Sequence, residues 1–265
     1  WSDGEDLPRD VIKWYKDNNY NFLALTDHNI TQDFASNVSI LNYSLLENPY
    51  SNYKIKDGDT GRHMSLRQFK KLKQRENLKL IDYEFSNTII TMIQNFFDLY
   101  FLETKPFYIA LDLFEDLEKK YNEKEKFLLF KGVEITDNAK EIPVHTLGIN
   151  ISDNIMPSNG SSILQRIEIA LSDIKKQETN EKMTLGIVAH PNLAYAINYE
   201  DLENISEENN IFFEVYTGVS SNHKGDDEHL STDKMWDYAL TKRILNNRSL
   251  IYGIATDDTH GLKKM

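Results

Sequence analysis

The sequence predicts an α/β fold in which parallel strands are covered by helices on both faces. Continuous apolar runs alternate with helix-like segments over much of the chain, a pattern typical of buried parallel strands. With 265 residues and 40% hydrophobic content, the chain can bury a sizeable core as one large domain. We therefore expect a single α/β domain.

The first predicted element is a helix over residues 4–19. Acidic residues and Pro8 stand at its start, and Val11, Ile12 and Tyr15 are spaced to form one apolar face. The later predictions are strands over 20–29, 126–136, 143–150, 184–192, 210–218 and 249–258, and helices near 65–76, around 110–124, over 161–177 and over 232–247. Most of 36–108 is polar and irregular, and we expect it to form an insertion on one side of the main fold.

Composition excludes several classes of protein. The net charge of −12 argues against a broad basic surface, so we expect no nucleic-acid partner. No segment approaches ~20 uninterrupted apolar residues, so we expect no membrane span. The absence of cysteine excludes disulfides, thiolate ligands and a cysteine nucleophile. The chain starts at Trp1 without an initiator Met, so the compartment stays open between the cytoplasm and, if a signal peptide was trimmed, the periplasm or exterior.

Carboxylates and histidines recur at the ends of the predicted strands. They are Asp27-His28, Glu134, His145 (nearer the start of its run), His190, Glu214 and Asp257-Asp258-x-His260. The loops that follow parallel strands gather at one edge of a sheet, and sites are built there. We therefore expect these side chains to converge.

Imidazole nitrogens and carboxylate oxygens are the ligands that Zn, Mn and Fe(II) prefer. Divalent ions also keep clustered buried carboxylates ionised. Taken singly, each residue has a structural alternative. Asp27 is suited to a turn or a helix cap, Glu134 to an ion pair with Lys131 or Lys140, and a lone histidine to an ordinary hydrogen bond. Their recurrence along one chain favours a metal site.

Seven short stretches together resemble the polymerase and histidinol phosphatase (PHP) domain. They are WSDGE, FLALTDHN, FKGVEIT, VHTLGIN, IVAHPN, EVYTG and ATDDTH. The chain is most similar to the carbaryl-hydrolase-like (CehA/McbA-type) branch of metallohydrolases, and the resemblance covers nearly everything except the insertion. It implies a distorted seven-stranded (β/α) barrel, with the insertion after the second barrel strand.

The resemblance also implies a site with two or three divalent metal ions (Zn, Mn or Fe) and hydrolysis by a metal-bound hydroxide. The implied metal ligands are Asp3, His28, Glu134, His145, His190, Asp258 and His260, with Glu134 bridging two ions. Asp27, Glu214 and Asp257 are expected to support these ligands without binding the ions themselves. Asp258 or His190 is the candidate for catalytic proton transfer.

The chain departs from the family pattern at three places. The family has an H-x-H pair before SDG on its first strand, and it continues past DDTH. We therefore expect a fragment, truncated at both ends, that lacks the first strand and two ligands. Where relatives have YNGHP this chain has YTGVS, so His223 or His229 is a candidate substitute, with a solvated loop as the alternative.

Three functions remain open from the sequence. The first is a phosphoesterase acting on a small-molecule substrate, and the second is a carbamate, amide or ester hydrolase using the same metals. The third is a catalytically silent metal-binding module. Intact ligand positions favour an enzyme, whereas the sequence does not determine the substrate or the oligomeric state.

Overall fold

The computed structural model describes residues 6, 8–33, 37–39, 108–110, 112–139, 142–158, 160–208, 211–218 and 223–262. The chain divides into two compact units, Trp1–Thr31 with Phe114–Met265, and Gln32–Leu113. Nearly all of the predicted insertion over 36–108, including the helix near 65–76, lies outside the described residues, as does Asp3. Those expectations stay predictions.

Helices and strands alternate along much of the described chain. The helices are α1 (Pro8–Asp17), α2 (Phe114–Tyr121), α3 (Ile163–Lys175), α4 (Tyr199–Asn204) and α5 (Thr232–Leu245), with a 3₁₀ turn over Leu193–Tyr195. The strands are β1 (Phe22–Leu25), β2 (Asn37–Ser39), β3 (Tyr108–Ala110), β4 (Leu128–Ala139), β5 (Ile142–Ile149), β6 (Leu185–Val188), β7 (Phe212–Thr217) and β8 (Tyr252–Thr256). In the second unit, β2 and β3 form an antiparallel pair.

The first unit is built on a curled, six-stranded sheet with the order β1-β4-β5-β6-β7-β8, shaped like half a barrel. β1 and β4 are parallel, and so are β6, β7 and β8. The sheet supports the α/β class and a partial barrel, while the seven-stranded barrel stays a prediction.

The expectation of parallel strands is wrong for β5, which runs antiparallel to both of its neighbours, β4 and β6. β4 ends at Ala139 and β5 begins at Ile142, so the connection is too short for the crossover that parallel strands require. The start of β5 therefore lies at the same edge as the ends of the five other strands. His145 lies near that start, so the antiparallel direction of β5 brings it to this edge. In a parallel β5 it would lie towards the opposite edge.

The helices pack through apolar stripes on the sheet. Ser162 caps α3 by accepting a hydrogen bond from the Gln165 N–H, and the helix buries Ile167, Leu171 and Ile174. At the other end of the sheet, α1 and α2 share a core cluster with β1 and β4. Its buried members are Ile12, Tyr15, Phe114, Leu117, Phe127 and Leu129. These layers leave one sheet edge to polar side chains.

None of the helices in the described ranges combines the length and the apolar character needed to cross a membrane.

Candidate metal centre

Three side chains, one just after β1 and one each on β4 and β5, meet at the polar edge of the sheet. His28 follows β1 and forms an isolated parallel bridge with Glu134 of β4, while His145 of β5 lies opposite Thr136. One donor atom from each of His28, Glu134 and His145 lies within 4.8 Å of the others, and Glu134 and His145 are buried. The three residues could hold a metal ion.

The distances between these donors suit a small divalent cation. His145 Nδ1 lies 2.8 Å from Glu134 Oε1, and His28 Nδ1 lies 3.6 Å from Glu134 Oε2. Ligand atoms of a tetrahedral zinc site stand roughly 3.3 Å apart, because each lies about 2.0–2.1 Å from the ion. The observed separations bracket that value, and the nitrogen and oxygen donors are the kinds zinc binds. The donor set could therefore hold a divalent ion.

His190, which follows β6, brings a further ring nitrogen to these residues. Its Nε2 lies 3.1 Å from Glu134 Oε1 and 3.2 Å from His145 Nδ1. Its φ of 22° is in the left-handed region, which a residue with a Cβ adopts only when its surroundings enforce it. Two of the metal ligands implied by the family resemblance thus contact Glu134 through the same oxygen.

A buried carboxylate holds the backbone of His190 in place. Glu214 Oε2 on β7 accepts the His190 N–H at 2.6 Å, and Glu214 Oε1 accepts the Thr256 hydroxyl of β8 at 2.7 Å. The chain of hydrogen bonds spans three neighbouring strands. It fixes Glu214 against the backbone of His190, and the role of Glu214 in supporting a metal ligand stays a prediction.

Glu134 and His190 have pKa values shifted in opposite directions. Burial alone would raise the pKa of Glu134, but hydrogen bonds from His145 and His190 outweigh it and hold the pKa well below its usual range. Burial opposes protonation of His190, yet the adjacent Glu134 carboxylate raises the pKa of the imidazole. The centre thus attracts positive charge.

Burial has the dominant effect on the pKa values of two other carboxyls. It raises the pKa of Glu214 to about 7, against the opposing effects of the Thr256 hydroxyl and His190. It also raises the pKa of Asp258, while the charges of His190 and His260 act in the opposite direction. The ring of His260 is close to this carboxyl, with Nδ1 3.8 Å from Asp258 Oδ1.

The loop after β8 carries Asp258 and His260. Asp258 has a φ of 47°, also in the left-handed region. His260 Nδ1 lies 2.7 Å from the Asp258 carbonyl oxygen, so a proton on Nδ1 can be donated there, and the lone pair of the neutral ring is then on Nε2. Histidine ligands commonly have their second nitrogen fixed in this way.

The two aspartates that were predicted to support the ligands accept different hydrogen bonds. The Asp257 carboxylate accepts a hydrogen bond from the Tyr15 hydroxyl. Asp27 contributes its carbonyl oxygen, which accepts the Glu134 N–H at 3.0 Å. That the Asp27 carboxylate orients His28 stays a prediction.

The structural alternative for Glu134 is not what the described residues show. Lys131 Nζ donates to the Ser152 carbonyl oxygen at 2.9 Å, whereas the carboxylate of Glu134 faces histidines. Lys140 lies outside the described residues.

The two loop histidines lie against other partners. The His223 ring packs on Tyr216, with centroids 4.5 Å apart. His229 is exposed, binds Asp226 at 2.8 Å and stacks on Tyr195. His229 therefore matches the solvated-loop interpretation.

Several residues around the site were not singled out from the sequence. Asn29 and Thr136 tie the end of β1 to β4, Thr256 holds Glu214, and Tyr15 reaches the loop after β8. Asn29 had one local signal, because asparagine is favoured where φ is positive, here 55°. Tyr15 had no such signal, because a tyrosine on the apolar face of a helix is usually an ordinary core residue.

No family model matches the chain, and no curated protein matches it.

Proposed function

We propose that this protein is a metal-dependent hydrolase of the phosphoesterase class, using a centre built from His28, Glu134, His145 and His190. The observation that carries the proposal is the convergence of histidine donors on the buried Glu134 carboxylate at one edge of the sheet. The resemblance to the PHP domain supports the same chemistry.

The Glu134 carboxylate could bind metal through both of its oxygens. Its Oε1 faces His145 and His190, while its Oε2 faces His28. A carboxylate whose oxygens face separate donors suits a bridging role. This arrangement supports a centre with at least two divalent ions (Zn, Mn or Fe), with Asp258 and His260 as further ligands.

A divalent ion bound here would act as a Lewis acid and lower the pKa of a bound water to about 7. The protein's own groups favour that loading. The low pKa of Glu134 keeps the carboxylate ionised, and the raised pKa of His190 marks a position where a cation can replace a proton.

Asp258 is the group we assign to proton transfer. Burial raises the pKa of its carboxyl in the metal-free protein, and a carboxylate oxygen that does not bind an ion would accept the proton. His190 and His260 lie near enough to affect its charge. His190 contributes by binding and by fixing the geometry of Glu134.

A phosphate substrate is favoured by one feature beside the centre. Asn192, two residues after His190, is buried and donates to the carbonyl oxygens of Lys224 and Leu230 at 3.0 and 2.9 Å. These bonds dock the loop carrying the exposed Lys224 on the segment that follows β6. Lys224 is therefore our candidate for a cation that would contact an anionic substrate.

The test is elemental analysis of the purified chain, combined with hydrolysis assays on phosphomonoesters, phosphodiesters and aryl carbamates. We expect metal-dependent turnover of a phosphate ester, abolished in His28→Ala and Asp258→Ala. His229→Ala, which alters an exposed histidine outside the centre, should retain both metal and turnover. Unchanged metal content and activity in both site variants would reject the assignment, and turnover confined to the carbamates would reject the phosphoesterase class.

A further inference from the structure

The hydroxyl of Tyr15 joins α1 to the loop after β8. It donates to Asp257 Oδ2, and its oxygen lies 3.2 Å from Thr259 Oγ1. A phenol has one proton, so once it is donated to Asp257 the phenol oxygen can accept from the Thr259 hydroxyl. One side chain thus links the residues on either side of Asp258.

Asp258, the residue between those two partners, has a backbone conformation that is unfavourable for a non-glycine residue. Asp258 has a φ of 47°, and its carbonyl oxygen lies 2.7 Å from His260 Nδ1, which can donate a proton to it. A non-glycine residue keeps a left-handed backbone only where its neighbours enforce it. The bonds from Tyr15 restrain both neighbours of Asp258, and so restrict where its carboxylate and the His260 ring point.

Tyr15 is well fixed for this task. Its side chain is 3% exposed and packs edge-on against Trp14 and Tyr20, with ring centroids 5.3 and 4.8 Å apart. Burial is the largest of the effects that raise its pKa, so the phenol stays protonated and remains a donor. The hydroxyl is therefore carried by a buried, packed side chain of α1.

A second contact ties the same parts of the chain together. Asp6, just before α1, accepts the Leu262 N–H through Oδ2 at 2.8 Å. The loop after β8 is thus tied to the N-terminal segment both at Asp257 and beyond His260.

We propose that Tyr15 is a positioning residue of the metal centre, which sets the geometry of Asp258 and His260 by bridging Asp257 and Thr259. This inference rests on the proposed function, because it assumes that Asp258 and His260 bind the ion. Removing an outer hydrogen-bonding partner of a metal ligand typically weakens metal affinity by about 10–100-fold. Tyr15 bonds to the neighbours of Asp258 rather than to a ligand, so loss of its hydroxyl should have an effect at the lower end of that range, about ten-fold.

The test is Co²⁺ titration of the full chain as wild type, Tyr15→Phe, Asp257→Asn and the double variant, followed by visible absorption. Tyr20→Phe is the matched control, since it removes a hydroxyl from the ring that packs on Tyr15. Thr259→Val interrupts the bridge without changing the helix. Thermal unfolding of each metal-free variant identifies any that fail to fold.

We expect Tyr15→Phe to bind Co²⁺ about ten-fold more weakly, with a changed visible spectrum that reports altered ligand geometry. Tyr20→Phe should match the wild type, and the double variant should be no weaker than Asp257→Asn alone. Wild-type affinity and spectrum in folded Tyr15→Phe and Thr259→Val would overturn the positioning role. No Co²⁺ binding by the wild type would instead overturn the proposed function, and this inference with it.

Discussion

The side chain of Asn29 pairs with the backbone of Thr136 as a further strand residue would. Asn29 Oδ1 accepts the Thr136 N–H at 2.8 Å, and Asn29 Nδ2 donates to the Thr136 carbonyl oxygen at 3.2 Å. The Asn29 N–H also donates to the Glu134 carbonyl oxygen at 2.9 Å. The amide thus continues the pairing of β1 with β4 past the end of β1, and it fixes His28 beside Glu134.

Replacing Asn29 should weaken both the fold and the centre. Asn29→Ala removes two hydrogen bonds and places alanine at a φ of 55°, so we expect a loss of about 3 kcal/mol in the free energy of unfolding. Asn29→Gly loses the same bonds but tolerates that φ, and should lose about 2 kcal/mol. Urea unfolding of the metal-free protein measures both. Equal stability of the two variants and the wild type would show that the pairing contributes nothing.

Gly132 on β4 permits the close approach of the strands that carry the donors. A Cβ there would lie 2.8 Å from Thr26 Cγ2, 2.9 Å from the Gly148 carbonyl oxygen and 3.0 Å from the Leu25 carbonyl oxygen. Two of these contacts are backbone atoms on either side of β4. Gly132→Ala should therefore cost about 2 kcal/mol of stability and also weaken metal binding, because it forces β1 and β5 away from Glu134.

Gly186→Ala provides the comparison for Gly132. Its Cβ would meet the end of the Leu171 side chain at 2.6 Å, which can shift, rather than backbone. We expect a loss of stability without a change in metal affinity, measured by urea unfolding and Co²⁺ titration. The same loss of affinity in both variants would mean that the spacing of the strands around β4 does not determine the affinity for metal.

The stability of the metal-free protein should depend on pH through the titration of Glu214. Its pKa is raised in the fold from an ordinary value of 4.5 to about 7. A raised carboxyl pKa contributes stability that is fully present below about pH 4.5 and is lost as the pH rises through 7. Glu214→Gln does not titrate, so its stability relative to the wild type should improve by about 3 kcal/mol between pH 4.5 and 8.

Chemical denaturation at several pH values in the presence of a chelator measures this difference. Glu181→Gln, an exposed position, is the control and should follow the wild type. Parallel pH profiles for Glu214→Gln and the wild type would show that the carboxyl titrates alike in the folded and unfolded chains.

Arg243 is a fully buried cation that binds carbonyl oxygens at the end of α4. Its Nη1 donates to the Glu203 and Ile205 carbonyl oxygens at 2.7 and 2.9 Å, and its Nε donates to the Ser249 carbonyl oxygen at 2.6 Å. Arg243→Met would leave these acceptors buried and unsatisfied, so we expect a loss of about 3 kcal/mol by urea unfolding. Lys242→Met on the exposed side of α5 should change stability by less than about 0.5 kcal/mol. Equal effects would contradict the role of Arg243.

Some elements could be predicted from sequence because their signals are local. The helix predicted over 161–177 is α3 at Ile163–Lys175, and the strand predicted over 210–218 is β7 at Phe212–Thr217. The direction of β5 was missed because its apolar run is the same in either orientation. Only the short connection from β4 forces the reversal.

The candidate site was predictable as residue types at strand ends but not as a network. Nothing local shows that Glu134 Oε1 faces His145 and His190, or that Glu214 supports the backbone of His190. These pairs depend on which strands are neighbours in the sheet. The bond from Tyr15 to Asp257 spans 242 residues, beyond the reach of any periodicity argument.

The hairpin of β4 and β5 bears on the order in which the centre assembles during folding. Glu134 and His145 lie on its two adjacent strands. Hairpins form in about 1–10 μs, whereas contacts between distant parts of a chain form late because closing long loops costs entropy. We therefore expect this donor pair to form early and the link from Tyr15 to the loop after β8 to close last. An early pair of donors would let a metal ion bind a partly folded chain and guide the remaining strands into place.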